Sequence, residues 1–392
     1  MTRELLELDG TDGGGQLIRT ALTLSVVDAR PFRMENVRAN RPNPGFKRQH
    51  LACVDLLADI ADAEVSGAEV GSETLAFEPS EPGRGVVGTD AAVEDDTPAP
   101  VEVAVDVGTA GSVTLVADTL LPLATRLSRP IRATLGGGTD VMWSPSADYL
   151  SHVKLPLLRE CGLDTTVEVT RRGFYPAGGG ELVVDVRPSA LAPIEFDAPR
   201  GGPDGNAERS DVGDAPSFDW SVYAVASEAL EDASVADRLA ETAATSLVNE
   251  GIAADPAKRV RYVESASPGA VVTLVAEGVS SSTGSESARK ASQRSRAGFG
   301  AYGERGVPSE EVAADAVDVA VEWTATDAPV DAHLGDQLVV WLALVGGRVR
   351  IPRVTEHVRT NVAVVRAFGY DVSLEETADG PEATLSAPMK QR

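Results

Sequence analysis

An α/β (α+β) protein is the fold class this sequence predicts, and three observations predict it. Apolar residues recur at helical spacing over 49–63, 113–127 and 230–250. Short runs at 101–107, 183–186 and 270–276 read as strands between them. Glycine triplets at 13–15, 136–138 and 178–180 stand beside Asp12, Asp140 and Glu181, where only glycine turns the chain at low strain. Helices interleaved with strands build layered α/β folds. Because the triplets are unequally spaced, they read as plain turns slightly more readily than as a repeated unit.

A chain of 392 residues, 43 % hydrophobic and 24 % charged, can bury one large core or two ordinary ones. No apolar run is long enough to span a bilayer and no leader pattern opens the chain, so a cytoplasmic protein with no membrane association is expected. Cys53 and Cys161 are far apart in sequence, which argues against structural zinc or a disulfide framework. The formal charge of −25 is best explained by a salt-rich cytoplasm, where counterions screen the carboxylates. That charge also opposes nonspecific nucleic-acid binding, so any RNA contact must use a local arginine cluster. Three stretches, 81–102, 197–217 and 280–296, are Pro-, Gly-, Ser- or acid-rich and read as surface loops.

Several chemistries are absent. There is no phosphate-binding G-x-x-x-x-G-K-[ST], no H-E-x-x-H, no G-x-S-x-G and no K-x-D-G lysine-adenylation motif. A formal G-x-G-x-x-G at 298–303 follows a polar run instead of a buried strand and reads as coincidence.

Four blocks carry chemistry. Asp12-Gly-Gly-Gly-Gln16-Leu-Ile-Arg19 is a glycine turn entering an apolar helix. It suits an anion held by backbone N–H groups with Arg19 behind, or equally a plain N-cap at Asp12 with Arg19 solvated. From Arg38 to His50, four basic residues fall in eleven positions (Arg38, Arg41, Lys47, Arg48), among prolines and Gly45. Such a loop presents guanidinium forks to phosphate, and the acidic background weakens its reading as a solvated charge run. His333-Leu334-Gly335-Asp336-Gln337 precedes an apolar run; Asp336 and Gln337 are either helix caps or readers of ribose and base edges. Thr355-Glu356-His357 opens another helical run, and on pattern alone a histidine near a helix start does not stand out.

Together these blocks resemble the RNA 3′-terminal phosphate cyclase family. The opening Asp12–Arg19 block and Arg38-x-x-Arg41-x-x-Pro44-Gly45-x-x-x-Gln49-His50 are similar to its first two elements. Gly108-Thr-Ala-Gly-Ser112, Gly136-Gly-Gly-Thr-Asp140 and Arg172-Gly-x-Tyr175-Pro176-x-Gly-Gly-Gly-Glu181 follow in order. Gly303-Glu-Arg-Gly306, Leu334-x-Asp336-Gln337 and Thr355-Glu-His357 close the series, so the resemblance runs from about Leu5 to Phe368.

The resemblance implies a large domain of three repeated β/α units, each like the C-terminal domain of a bacterial initiation factor. That domain would span 1–187 and 278–392, with a smaller thioredoxin-like insert at 188–277. It implies an ATP-dependent ligase that converts an RNA 3′-phosphate into a 2′,3′-cyclic phosphodiester through AMP on His357. Asp12 falls at the metal position (Mg²⁺ or Mn²⁺), usually a glutamate. Arg19, Arg38, Arg41 and Gln49 match residues gripping phosphates and the RNA end, and His333, Leu334, Gly335, Asp336 and Gln337 match a nucleotide-binding segment. Asp118 stands where relatives tend to have a glutamine nucleotide contact, and a carboxylate lacks that donor. The alternatives are a cyclase-like ribosome-assembly factor without catalysis, and an enolpyruvyl-type transferase, neither of which needs His357.

Overall fold

The computed structural model describes residues 4–80, 86–88, 98–196, 218–278, 295–377 and 380–389. Of the expected loops, 197–217 and most of 81–102 and 280–296 lie outside the described residues.

The first unit is β1 (Leu6–Asp9), α1 (Gly15–Asp28), β2 (Phe32–Glu35), α2 (Arg48–Ala61), β3 (Glu64–Ser66) and β4 (Leu75–Glu78). β1 and β2 run parallel, while β4 pairs antiparallel with β2 and β3, giving the order β1-β2-β4-β3. Helix α2 forms because Cys53, Leu56, Leu57 and Ile60 repeat on one buried face. Truncating fully buried Leu57 to alanine would cost about 2–5 kcal/mol. The second unit repeats the plan with β5 (Val101–Asp106), α3 (Val113–Leu120), β6 (Ile131–Gly137), α4 (Ala147–Tyr149), α5 (Leu155–Glu160), β7 (Thr165–Arg171) and β8 (Gly180–Val186). Its order, β5-β6-β8-β7, is the same permutation with the same strand directions.

Strand β9 (Ile194–Phe196) opens the third unit, and the chain then leaves it. The excursion holds β10 (Phe218–Ser227), α6 (Val235–Asn249), β11 (Ala257–Val263), β12 (Ala270–Gly278), β13 (Arg296–Tyr302) and α7 (Ser309–Thr324). It forms its own sheet, β11-β10-β12-β13. On return come α8 (Ala332–Gln337), α9 (Val339–Val345), β14 (Gly347–Ile351), α10 (Glu356–Ala367), β15 (Ser373–Glu376) and β16 (Ala383–Ala387). β9 pairs parallel with β14, completing β15-β16-β14-β9, a third copy of the permutation. The fold is thus α/β, with three like units and one inserted domain.

The insert does not occupy 188–277 as expected. Pairing of β9 with β14 keeps residues up to Phe196 in the large domain. The ladder Glu277↔Arg296 to Val271↔Tyr302 carries β13 into the small one. Helix α7 follows it there, because Val312, Ala316 and Trp323 pack with Leu239, Ala243 and Phe299 in a second core. A single larger core joins all three units, including Ile18, Leu57, Leu120, Leu135, Trp341 and Val349.

The glycines at 298–303 follow no buried strand because Gly298 and Gly300 lie inside one, β13 itself. They form no phosphate turn; a Cβ on Gly298 would strike Val153 Cγ2 at 2.5 Å.

Candidate active site

The opening glycine turn brings three chain segments together. Gly14, not Asp12, is the N-cap of α1, in extended conformation with no side-chain cap bond. Cβ atoms built on the glycines would sit 3.4 Å from His357 Cε1 and 3.6 Å from Arg41 Nη2 at Gly14, and 2.5 Å from His50 Nε2 at Gly15. Bare backbone therefore stands where side chains would block the approach to the histidine. Asp12 is exposed and accepts a 2.8 Å bond from Asn40 Nδ2. Arg19 is buried, not solvated, and donates to Gln16 Oε1.

The arginine loop divides its work. Arg38 is buried, with φ 58°, and its Nη1 donates to the carbonyls of Asn43 (3.0 Å) and Gly45 (2.8 Å). It fastens the loop from within. Arg41 is half-exposed, turns toward the cleft and meets Glu356 at 3.5 Å. Gln49 Oε1 accepts from the Ser112 amide at 3.0 Å, tying the first unit to the second. His50 Nδ1 accepts from the Lys47 amide, and burial with Arg19, Arg38 and Lys47 nearby pushes its pKa down to about 3. It is neutral at any working pH.

His357 enters at the second position of α10, whose first turn is capped by Thr355 Oγ1 accepting from the Val358 amide at 3.1 Å. Partial burial, then Arg19 and Arg41, hold its imidazole below the usual histidine value, with Glu356 opposing. A depressed value keeps the ring neutral, the nucleophilic form, near pH 7.

The segment 333–337 is placed differently from its sequence reading. Asp331 caps α8 by accepting from the amides of His333 and Leu334, and also takes Tyr149 Oη and the Gly298 amide. Asp336 and Gln337 are therefore not caps; they end the helix. Leu334 is fully buried in the core, and a Cβ on Gly335 would meet Ile351 Cγ2 at 2.6 Å, so these two residues serve packing. His333 is exposed, beside a cavity of about 320 Å³ walled by Phe299, Trp323 and Arg353. Burial, reinforced by the charge of Asp331, pushes the Asp336 carboxyl up to about 8. Gln337 Oε1 is buried without a hydrogen-bond partner among the described residues.

Gln16, Arg19, Asp118, Lys154 and Gln337 line one narrow recess behind the glycine turn. There Asp118 Oδ1 accepts from Lys154 Nζ at 2.7 Å, both side chains nearly inaccessible. The acid at 118 thus holds an ammonium in the recess, where the resemblance would put a glutamine. Sequence reasoning misses Lys154, as it does Asp331; the one signal for Lys154 is scarcity, five lysines among thirty-five basic residues.

Asp12 is the expected metal ligand. Among the described residues no group of three or more His, Cys, Asp or Glu side chains is placed to hold an ion. A lone exposed carboxylate fits Mg²⁺, which keeps waters and takes its other ligands from substrate phosphates. It does not fit a resident metal caged by protein.

The fold and the site define a three-unit α/β scaffold with an inserted domain and a histidine framed by arginines and bare glycines. A sequence profile described as RNA 3′-terminal phosphate cyclase matches residues 11–372, and the chain belongs to that family. A protein of that name from Halobacterium salinarum is 44 % identical over 374 residues, covering 95 % of this chain and 97 % of that one. Namesakes from Pyrococcus furiosus (34 % over 368 residues, 93 % of each chain) and Saccharolobus islandicus (34 % over 382, 96 % and 98 %) are also similar. No helix among the described residues is long and apolar enough to cross a membrane.

Proposed function

We propose that the chain uses ATP to convert an RNA 3′-terminal phosphate into a 2′,3′-cyclic phosphodiester, with His357 as the carrier of AMP. The neutral imidazole attacks the α-phosphorus; a P–N bond forms, the bond to pyrophosphate breaks, and Arg41 offsets charge on the reacting phosphate. A terminal phosphate oxygen of the RNA then takes the adenylyl group and frees His357. Attack by the neighbouring 2′-hydroxyl on the terminal phosphorus expels AMP and closes the ring, releasing the hydroxyl proton. Mg²⁺ or Mn²⁺ at Asp12 would neutralise phosphate charge when bound. The cavity beside His333, walled by Phe299, Trp323 and Arg353, suits the nucleoside of ATP. The charge of −25 and the Halobacterium relative favour a salty cytoplasm as the place of work.

The observation that carries this reading is His357 against Gly14 and Arg41, uncluttered and held neutral. The test is incubation with α-labelled ATP. Wild type should carry acid-labile, alkali-stable label, lost in His357→Ala and retained in part by His50→Ala, His152→Ala and His333→Ala. Label persisting in His357→Ala would assign the nucleophile elsewhere, and no label in wild type would favour a binding factor on the same scaffold.

A further inference from the structure

We propose that Trp143 and Tyr175 form a stacking platform for the single-stranded RNA immediately upstream of the reacting 3′ end, an inference that rests on the cyclase reading. Of four tryptophans, three are at most 4 % exposed, whereas Trp143 is 91 % exposed. Its φ of 61° is unfavourable for a bulky residue, so the surrounding structure must enforce it. That enforcement is visible. Ser144 Oγ donates to the Val141 carbonyl at 2.7 Å, Tyr302 Oη to the Ser144 carbonyl at 2.6 Å, and Thr114 Oγ1 to the Pro145 carbonyl at 2.7 Å. A fastened turn that holds a tryptophan in solvent reads as a presented ring. Tyr175, 73 % exposed, borders with Met142 a cavity of about 870 Å³ between the second unit and the insert.

Topology says what the ring is for. In each unit the second strand of the parallel pair feeds a loop and then a helix, at the same end of the sheet. After β2 that loop delivers Arg41, and after β14 the corresponding junction delivers His357. After β6 it delivers Trp143. Two connections link this turn to the cleft. The Gly108–Ser112 turn touches Gln49 through the Ser112 amide, while a Cβ on Gly178, three residues past Tyr175, would lie 2.6 Å from the Thr109 carbonyl oxygen. Strand β13 runs from Gly298, bonded to Asp331 beneath His333, to Tyr302, bonded to Ser144, four residues or roughly 13 Å.

Charge favours a polyanion as the occupant over a protein partner. Exposed Arg48, Arg171 and Arg305 lie along this route, and none has a carboxylate partner among the described residues. In a chain with sixty acids against thirty-five basic residues, unpaired arginines beside exposed aromatic rings are the combination single-stranded RNA requires.

The test uses 3′-phosphorylated oligoribonucleotides of two to ten residues, with kcat/KM measured at each length. Wild type should gain with the first few added nucleotides. Trp143→Ala and Tyr175→Ala should each lose about tenfold of that gain, and Trp143→Phe should keep most of it. RNA binding without ATP should quench tryptophan fluorescence in wild type and not in Trp143→Phe. Wild type that shows quenching but cyclises no substrate would support the platform and sink the cyclase reading. Rates independent of length, or a gain unchanged in folded variants, would overturn the platform. A wild type that proves dimeric, with variants that keep the gain but run as monomers, would overturn it too and assign the face to a second copy of the chain.

Discussion

Gly14 lies so close to His357 that a single added methyl would touch the imidazole, 3.4 Å from Cε1, with Arg41 at 3.6 Å. On the proposed mechanism, the space that a reacting phosphate needs is kept by a missing side chain. Gly14→Ala should fold with a loss within about 1 kcal/mol, since its backbone angles suit alanine. Adenylation should nevertheless fall on the order of tenfold to a hundredfold, because approach to the nitrogen is misplaced. Gly15→Ala should behave differently: its Cβ would fall 2.5 Å from His50 Nε2, an overlap worth about 1–3 kcal/mol. Melting curves and rates of covalent labelling separate the two. Equal loss of stability in both would mean that Gly14 merely packs.

The two loop arginines should separate as cleanly. Arg38 is buried on two carbonyls, so Arg38→Ala should lower stability by about 1–3 kcal/mol as the loop loses its internal clasp. Among the described residues Arg41 pairs only with exposed Glu356, so Arg41→Ala should leave the melting temperature within about a degree or two. Its cyclisation rate should fall roughly ten- to a hundredfold, the worth of one charge-assisted phosphate contact. An Arg41→Ala enzyme with wild-type kcat/KM would return that residue to the solvated surface.

The Asp336 carboxyl, raised from 3.8 to about 8 chiefly by burial, gives a stability signature with a definite sign. The native state keeps this proton up to about pH 8, whereas the unfolded chain releases it near pH 4. The group's contribution is thus full below the unfolded value and is lost as pH rises through the folded one. Asp336→Asn removes the titration, so its melting temperature should gain on wild type steadily between about pH 4 and pH 8 and level off above that. A one-proton difference between the native and unfolded states changes stability by about 1.4 kcal/mol for every pH unit crossed, so the gap should reach a few kcal/mol. Parallel curves would mean that Asp336 ionises freely in the folded protein.

How much of this is legible in the sequence differs by residue. The helices at Arg48–Ala61 and Val235–Asn249 and the strands at 101–106 and 270–278 are visible because their apolar spacing matches one buried face. The threefold repeat is obscured because the insert interrupts the third unit after β9, and because the glycine triplets mark different places in the units: 13–15 leads into α1, 136–138 ends β6 and 178–180 leads into β8. The far edge of the insert is easily misread because β13, Arg-Ala-Gly-Phe-Gly-Ala-Tyr, has the glycines of a turn, and only pairing with β12 makes it a strand. At the site, Arg41, Gly14 and His357 belong to motifs that survive folding. Arg38 and Arg41 are indistinguishable as letters; burial alone separates them. Asp331 and Lys154 escape notice because each acts through partners 182 and 36 residues away, beyond the reach of local pattern.

Net charge and substrate charge have the same sign here, and that fixes an unusual salt dependence. Around a body of −25, repulsion of RNA reaches far at low ionic strength, where the Debye length is about 30 Å at 0.01 M, and shrinks to about 3 Å at 1 M. The attraction at Arg41 acts over a few ångströms beside a half-covered cleft, and stacking on aromatic rings carries no charge, so both survive screening better than the repulsion does. Raising KCl should therefore first increase kcat/KM, the reverse of the decline expected when a basic surface releases counterions. Screening also relieves repulsion among the sixty acids and strengthens the fold over the same range, so circular dichroism must show native protein at every point. The two effects then separate, because a stability gain saturates once folding is complete whereas relief of encounter repulsion continues. A monotonic fall in kcat/KM across salt concentrations where the fold is intact would defeat this account. RNA capture would then belong to a broad basic surface that the overall charge conceals.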